Sequence, residues 1–86
     1  MTRRDTTFNA QDVMTPDFAA SLAHCASCFA ANVYLERGNT QLSVDSLIGI
    51  LAMNIRRGMK LGIVADGYDA PQAVDRVCAI LNEGIN

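Results

Sequence analysis

The sequence predicts an α+β fold: an open-faced two-layer sandwich in which a four-stranded antiparallel sheet carries three helices on one face, in the order β-α-β-β-α-β-α. Three observations lead there. Three segments place apolar residues at three- and four-residue spacing, the segments between them alternate apolar with polar residues, and each change of period is marked by Gly, Pro, Asp, Ser or Thr. With 86 residues, half of them apolar and 19% charged, the chain suffices for one core, and we expect a single domain over residues 1–86. Aromatic residues make up only 6% and Trp is missing, so the core must come from Ala, Val, Ile and Leu, which suits closely set helices.

Thr6 to Ala10 is the weakest strand, required because three strands would leave the first helix short of a partner. Phe18, Ala19, Leu22, Ala23 and Ala26 share one face of that helix. Thr15 can cap its amides, Pro16 fits the first helical position, and Asp17 suits the positive end of the dipole. Val33 to Glu36 and Thr40 to Val44 flank Arg37-Gly38-Asn39 and read as a hairpin. A short second helix carries Leu47, Ile48, Leu51 and Ile55; Ser46 or Asp45 caps it, and it ends near Arg57-Gly58. Met59 to Ala65 alternates as a strand with Leu61, Ile63 and Ala65 on one side. Gly67 turns the chain, Asp69 caps, and Ala70, Ala73, Val74, Val77, Ile80 and Leu81 line a last helix that frays at Gly84. The uncovered face of the sheet should meet water.

Charge and composition exclude several functions. A net charge of −2 and a pI near 5.0 argue against direct nucleic-acid binding, which needs a basic face to displace counterions. No run approaches the ~18 apolar residues of a membrane span, and the two early arginines precede no apolar stretch that would make a leader. With one His and three Cys, a nucleophilic triad could use only His24, and a four-ligand zinc site of Cys and His would need every one of them. Cys25-Ala26-Ser27-Cys28 is a C-x-x-C with His24 beside it, the pattern of a metal or redox site. Zinc sites of this kind draw on a second ligand pair, though, and only Cys78 is left; the pair also lies at a helix C-terminal end, where the dipole disfavours thiolate. We therefore expect no metal and no cofactor. The odd cysteine count fits a reducing compartment, and we expect a cytoplasmic protein.

Ala19-Ala20, Phe29, Ser46-Leu47, Gly58, Gly67 and Ala73-Val74, with the topology above, give the chain a spacing that resembles HPr, the small phosphocarrier family of the bacterial sugar phosphotransferase system, from about Asp5 to Glu83 without a gap. The resemblance implies the same open-faced fold. The family's defining segment reads Gly-Leu-His-Thr/Ala-Arg-Pro-Ala, whose histidine accepts phosphate and whose arginine steadies it over free helix amides. Here the matching stretch is Val13-Met14-Thr15-Pro16-Asp17-Phe18-Ala19, which agrees only at the last residue. Thr15 stands in the histidine's place, and a hydroxyl is a far poorer nucleophile at neutral pH. Asp17 stands in the arginine's place and repels a phosphoryl group.

No catalytic residue is therefore expected, and the resemblance implies an HPr-like module that binds or regulates. Ser46 matches the serine that a dedicated kinase phosphorylates in part of the family, including the catabolite-repression HPr-like proteins, corepressors that lack the active histidine; the same serine is also a preferred helix cap. The alternative is a working phosphocarrier with a displaced acceptor. Only His24 could serve, nine residues past Thr15 and more than two helical turns from the amides that would hold phosphate. A third reading is a degenerate paralogue with no phosphotransfer duty. In the family the surface of the first two helices docks every partner; here its residues are Ala20, Ser21, His24, Ser27, Ile48, Gly49, Leu51 and Ala52, with no lysine or arginine. Arg56, Arg57 and Lys60 form the one local basic cluster, read as a solvated edge. A neutral, apolar docking face implies a protein partner bound by burial more than by charge, whether a phosphotransferase-system enzyme or a transcription factor.

Overall fold

The computed structural model describes residues 1–84. Its elements are β1 (Thr2–Thr7), α1 (Pro16–Ala26), β2 (Asn32–Arg37), β3 (Thr40–Ser43), α2 (Leu47–Ala52), β4 (Lys60–Asp66) and α3 (Ala70–Glu83). The predicted order β-α-β-β-α-β-α is thus the observed one, with an antiparallel sheet ordered β1-β4-β2-β3.

Two elements differ from the sequence reading by more than one residue. The first strand runs over Thr2–Thr7 and not Thr6–Ala10, because the Arg and Asp side chains of an edge strand stay in water or pair across it and leave no apolar alternation to read. Phe8 and Ala10 lie in the connection after it, with Phe8 fully buried. The second helix stops at Ala52, one turn earlier than predicted. Met53 closes it and Asn54 takes a left-handed conformation (φ 54°), as Asn tolerates. Ile55 is buried all the same, from an irregular segment and not from the helix.

Leu22, Leu35, Ile50, Ile63, Val74, Val77, Ile80 and Leu81 are fully buried between the sheet and the helices. Leu61, Ile63 and Ala65 of β4 point into this core as their alternation predicted. The opposite face of β4 is not simply wet: Val64 is 3% exposed, beside Arg3 and Tyr34 in the register. A side chain at Gly62 would meet Arg3 Nη2 at 2.9 Å and Glu36 Oε1 at 3.0 Å. The Arg3–Glu36 ion pair (3.0 Å) lies across that glycine and lids the middle of the sheet. Arg4, on the other side of β1, pairs with Asp75 of α3.

Candidate functional site

The start of α1 is built from three connections. Met14 N–H donates to the Ile55 carbonyl (2.9 Å), Arg57 N–H to that of Asp12 (2.9 Å) and Gly58 N–H to that of Phe8 (2.8 Å), so the segment before α1 is stitched to the one after α2. On the other side, Asn9 and Ala10 both donate to the Leu81 carbonyl near the end of α3, at 3.0 and 3.2 Å. Phe8 meets Phe18 of the first turn edge-on, with centroids 5.6 Å apart and planes at 80°. These contacts leave the helix start little freedom.

Thr15 sits ahead of α1 in an extended conformation (φ −90°, ψ 159°), and its Oγ1 accepts from Phe18 N–H at 3.2 Å, as the predicted cap should. The same hydroxyl donates to Gln11 Oε1 at 3.2 Å. Its proton and one of its two lone pairs are in use. Asp17 is exposed in the first turn, and with Glu83 it borders a shallow hollow between the start of α1 and the end of α3, which no Lys or Arg lines. An anion arriving at these amides would meet two carboxylates. Of the predicted basic cluster, Arg57 turns to the Asp12 carboxylate (3.1 Å) and the Asn9 carbonyl (3.2 Å), and Lys60 borders the groove on the open face of the sheet.

The start of α2 is different. Ser46 occupies the cap position but makes no side-chain cap bond, and the predicted alternative, Asp45, does not replace it. The chain enters through a tight turn in which Ser46 N–H bonds the Ser43 carbonyl (2.9 Å) and Leu47 N–H that of Asp45 (3.0 Å). The resulting ψ of 75° lies outside the extended region that aims a capping side chain at the helix amides. Both Ser46 and Asp45 are exposed.

Among the eight residues of the predicted docking face, Ala20, Ser21, His24 and Ser27 are exposed along α1, and Ile48 and Ala52 on α2. Ile48 is 87% exposed, an unusual position for an isoleucine. Leu51 belongs more to the interior, half-buried against the core, and Gly49 lies so close to Leu42 that a side chain there would come within 2.8 Å of its Cδ1. His24 is exposed in the last turn of α1, far along the helix from Thr15.

All three cysteines are free thiols: Cys25 half-buried, Cys28 exposed and Cys78 buried on α3, where burial pushes its thiol pKa up. Among the described residues no three His, Cys, Asp or Glu side chains come together to hold a metal ion. No helix of the described residues is long and apolar enough to cross a membrane.

Asp69 corrects the sequence reading more directly. It makes no cap bond to α3; its carboxylate accepts instead from Ala30 N–H (2.9 Å) and Ala31 N–H (2.8 Å), clamping the segment after α1 to the start of α3. At Gly67 (φ 155°) a side chain would reach within 2.6 Å of the Ala31 Cα, so the glycine lets this segment approach. A contact between residues 38 apart leaves no periodic signal, so spacing alone could not have found it.

A family model described as "PTS HPr component phosphorylation site" matches residues 3–83. The phosphocarrier protein HPr of Mycoplasma capricolum is 36% identical over 59 residues, which cover 69% of this chain and 66% of that protein. The HPr-like protein Crh of Bacillus subtilis is 24% identical over 67 residues, 78% of this chain and 79% of the relative. Among solved structures, the phosphocarrier protein HPr of Bacillus anthracis superposes with a TM-score of 0.86 at 21% identity, covering 93% of this chain and 95% of that one. The match spans both helix starts and all of the sheet but Thr2, and by it the chain belongs to the HPr family.

Proposed function

We propose that this chain is a regulatory or protein-binding member of the HPr family and not a histidine phosphocarrier. The observation that carries the reading is the start of α1, where the resemblance sets a phosphohistidine and an arginine and this chain has Thr15 and Asp17. Thr15 Oγ1 is held between Phe18 N–H and Gln11, and Asp17 with Glu83 makes the adjoining hollow acidic. Neither residue supplies a nucleophile or a clamp for a phosphoryl group at neutral pH.

The regulatory half of the reading rests on Ser46, whose exposed hydroxyl is not taken up as a cap and is open to a kinase. The partner is a protein that docks on the neutral surface of α1 and α2 around Ala20, His24, Ile48 and Ala52, a phosphotransferase-system enzyme or a transcription factor of the cytoplasm. Burial of Ile48 would supply most of the attraction.

The test is incubation with phosphoenolpyruvate and the first enzyme of the phosphotransferase system. No acid-labile phosphate on this chain is the expected result. Acid-labile phosphate that survives Thr15→Ala and disappears in His24→Ala would instead establish a phosphocarrier with a displaced acceptor, a reading that the exposure of His24 permits. Mass spectrometry of protein from cells tests the regulatory half, with phosphate on Ser46 expected.

A further inference from the structure

We propose that Cys25 and Cys28 form a reversible dithiol–disulfide pair at the end of α1, oxidised by low-molecular-weight disulfides. Cys25 is in the last turn of the helix and Cys28 in the turn that follows, and Cys28 N–H bonds the Cys25 carbonyl at 3.2 Å. That bond joins residues three apart, the 3₁₀ pattern, in which side chains at those positions eclipse. A rise of about 2.0 Å per residue sets the two Cα atoms about 6 Å apart, inside the roughly 4.4–6.8 Å that a disulfide spans. Cys28 Sγ already leans back along the helix toward the His24 carbonyl, at 3.8 Å.

The two thiols differ in the way a redox pair needs. Cys28 is exposed and can meet an external disulfide, whereas Cys25 is half-buried against the core and can attack only what Cys28 brings to it. Cys78 does not compete, being buried on α3. The segment is also bounded on its far side, since Asp69 holds Ala30 and Ala31 in place. Neither the helix bond from Ser27 N–H to the Ala23 carbonyl nor the clamp on Ala30 and Ala31 uses an atom of either cysteine.

The chemistry is thiol–disulfide exchange. Cys28 loses its proton and attacks one sulfur of RS–SR, forming a protein–SR bond and expelling RS⁻, which takes up a proton. The Cys25 thiolate then attacks the Cys28 sulfur and displaces the second RS⁻. The sum is two protein thiols plus RS–SR going to one protein disulfide plus two RSH.

The whole chain, equilibrated natively with glutathione mixtures up to fully oxidised glutathione and quenched in acid, tests this by thiol counting and mass spectrometry. The expected product has lost two thiols and two hydrogens within the peptide containing Cys25 and Cys28, and keeps Cys78 free. Cys78→Ser should retain that product, whereas Cys25→Ser should stop at a glutathione adduct on Cys28. A wild-type protein that accumulates the Cys28 adduct, forms only disulfide-linked dimers, or keeps all its thiols in oxidised glutathione would overturn the proposal.

Discussion

The two helices that pack side by side in this molecule begin in opposite ways. At the start of α1 the backbone is tied to both neighbouring connections, the Thr15 hydroxyl bonds in two directions, and Phe8 closes on Phe18 from below. At the start of α2 the cap position is filled by an exposed serine whose hydroxyl makes no cap bond. Both sites put a hydroxyl residue ahead of an apolar helix. What separates them is the backbone: at ψ of 159° the Thr15 oxygen accepts from a helix amide, and at ψ of 75° the Ser46 oxygen lies beside Gly49 without making a cap bond. A hydroxyl committed to a cap is structural, and one left free is available for modification.

The most drastic way to break the comparison is to loosen α1. Phe8→Ala removes a fully buried ring and its edge-on partner contact, and should cost about 3–5 kcal/mol in denaturant unfolding. Because the lost ring packs on Phe18 of the first turn while the main-chain bonds of residue 8 to Met59 and Gly58 remain, amide exchange at the start of α1 should quicken well before that of β4. A smaller loss is expected at the other end of the helix. Asp69→Ala leaves the Ala30 and Ala31 amides without their carboxylate and should cost about 2 kcal/mol. Asp69→Asn, which keeps one acceptor oxygen, should recover about half of that. If Asp69 acted as a cap of α3 instead, Asn would be as good as Asp and the two variants would separate fully.

Much of this could be read from the chain itself, and the misses have physical causes. α1 and α3 declare themselves because one stripe of each is apolar and the other is wet, as Ala70, Ala73, Val74, Val77 and Leu81 show for α3, and β4 by the alternation of Leu61, Ile63 and Ala65. β1 has no such asymmetry: Arg3, Arg4 and Asp5 satisfy their charges across the strand or against α3, so its pairing with β4 decides its place. Thr15 was legible as a cap because Pro16 and Asp17 follow it. For Ser46 and Asp69 the residue type pointed to a cap, but Ser46 enters α2 with a backbone in which its hydroxyl makes no cap bond, and Asp69 bonds Ala30 and Ala31 instead. The acidic hollow beside Thr15 was only half legible, since Asp17 is local to the motif and Glu83 arrives from the far end of the chain.

The comparison is sharpest in a matched pair of single substitutions at the two helix starts. Thr15→Ala removes the acceptor for Phe18 N–H and leaves Gln11 without its donor, so it should cost about 1 kcal/mol, and Thr15→Ser should restore most of it. Ser46→Ala removes an exposed hydroxyl with no cap bond and should change unfolding free energy by no more than about 0.5 kcal/mol. Urea unfolding of the pair, with equal m-values, measures both on one scale. A Ser46→Ala loss as large as that of Thr15→Ala would mean that Ser46 does cap α2 in solution, which would remove the physical ground for treating its hydroxyl as free. Equal tolerance at both positions would mean the reverse, that the Thr15 hydroxyl is as available as that of Ser46 and that the start of α1 is less committed to structure than its bonds imply.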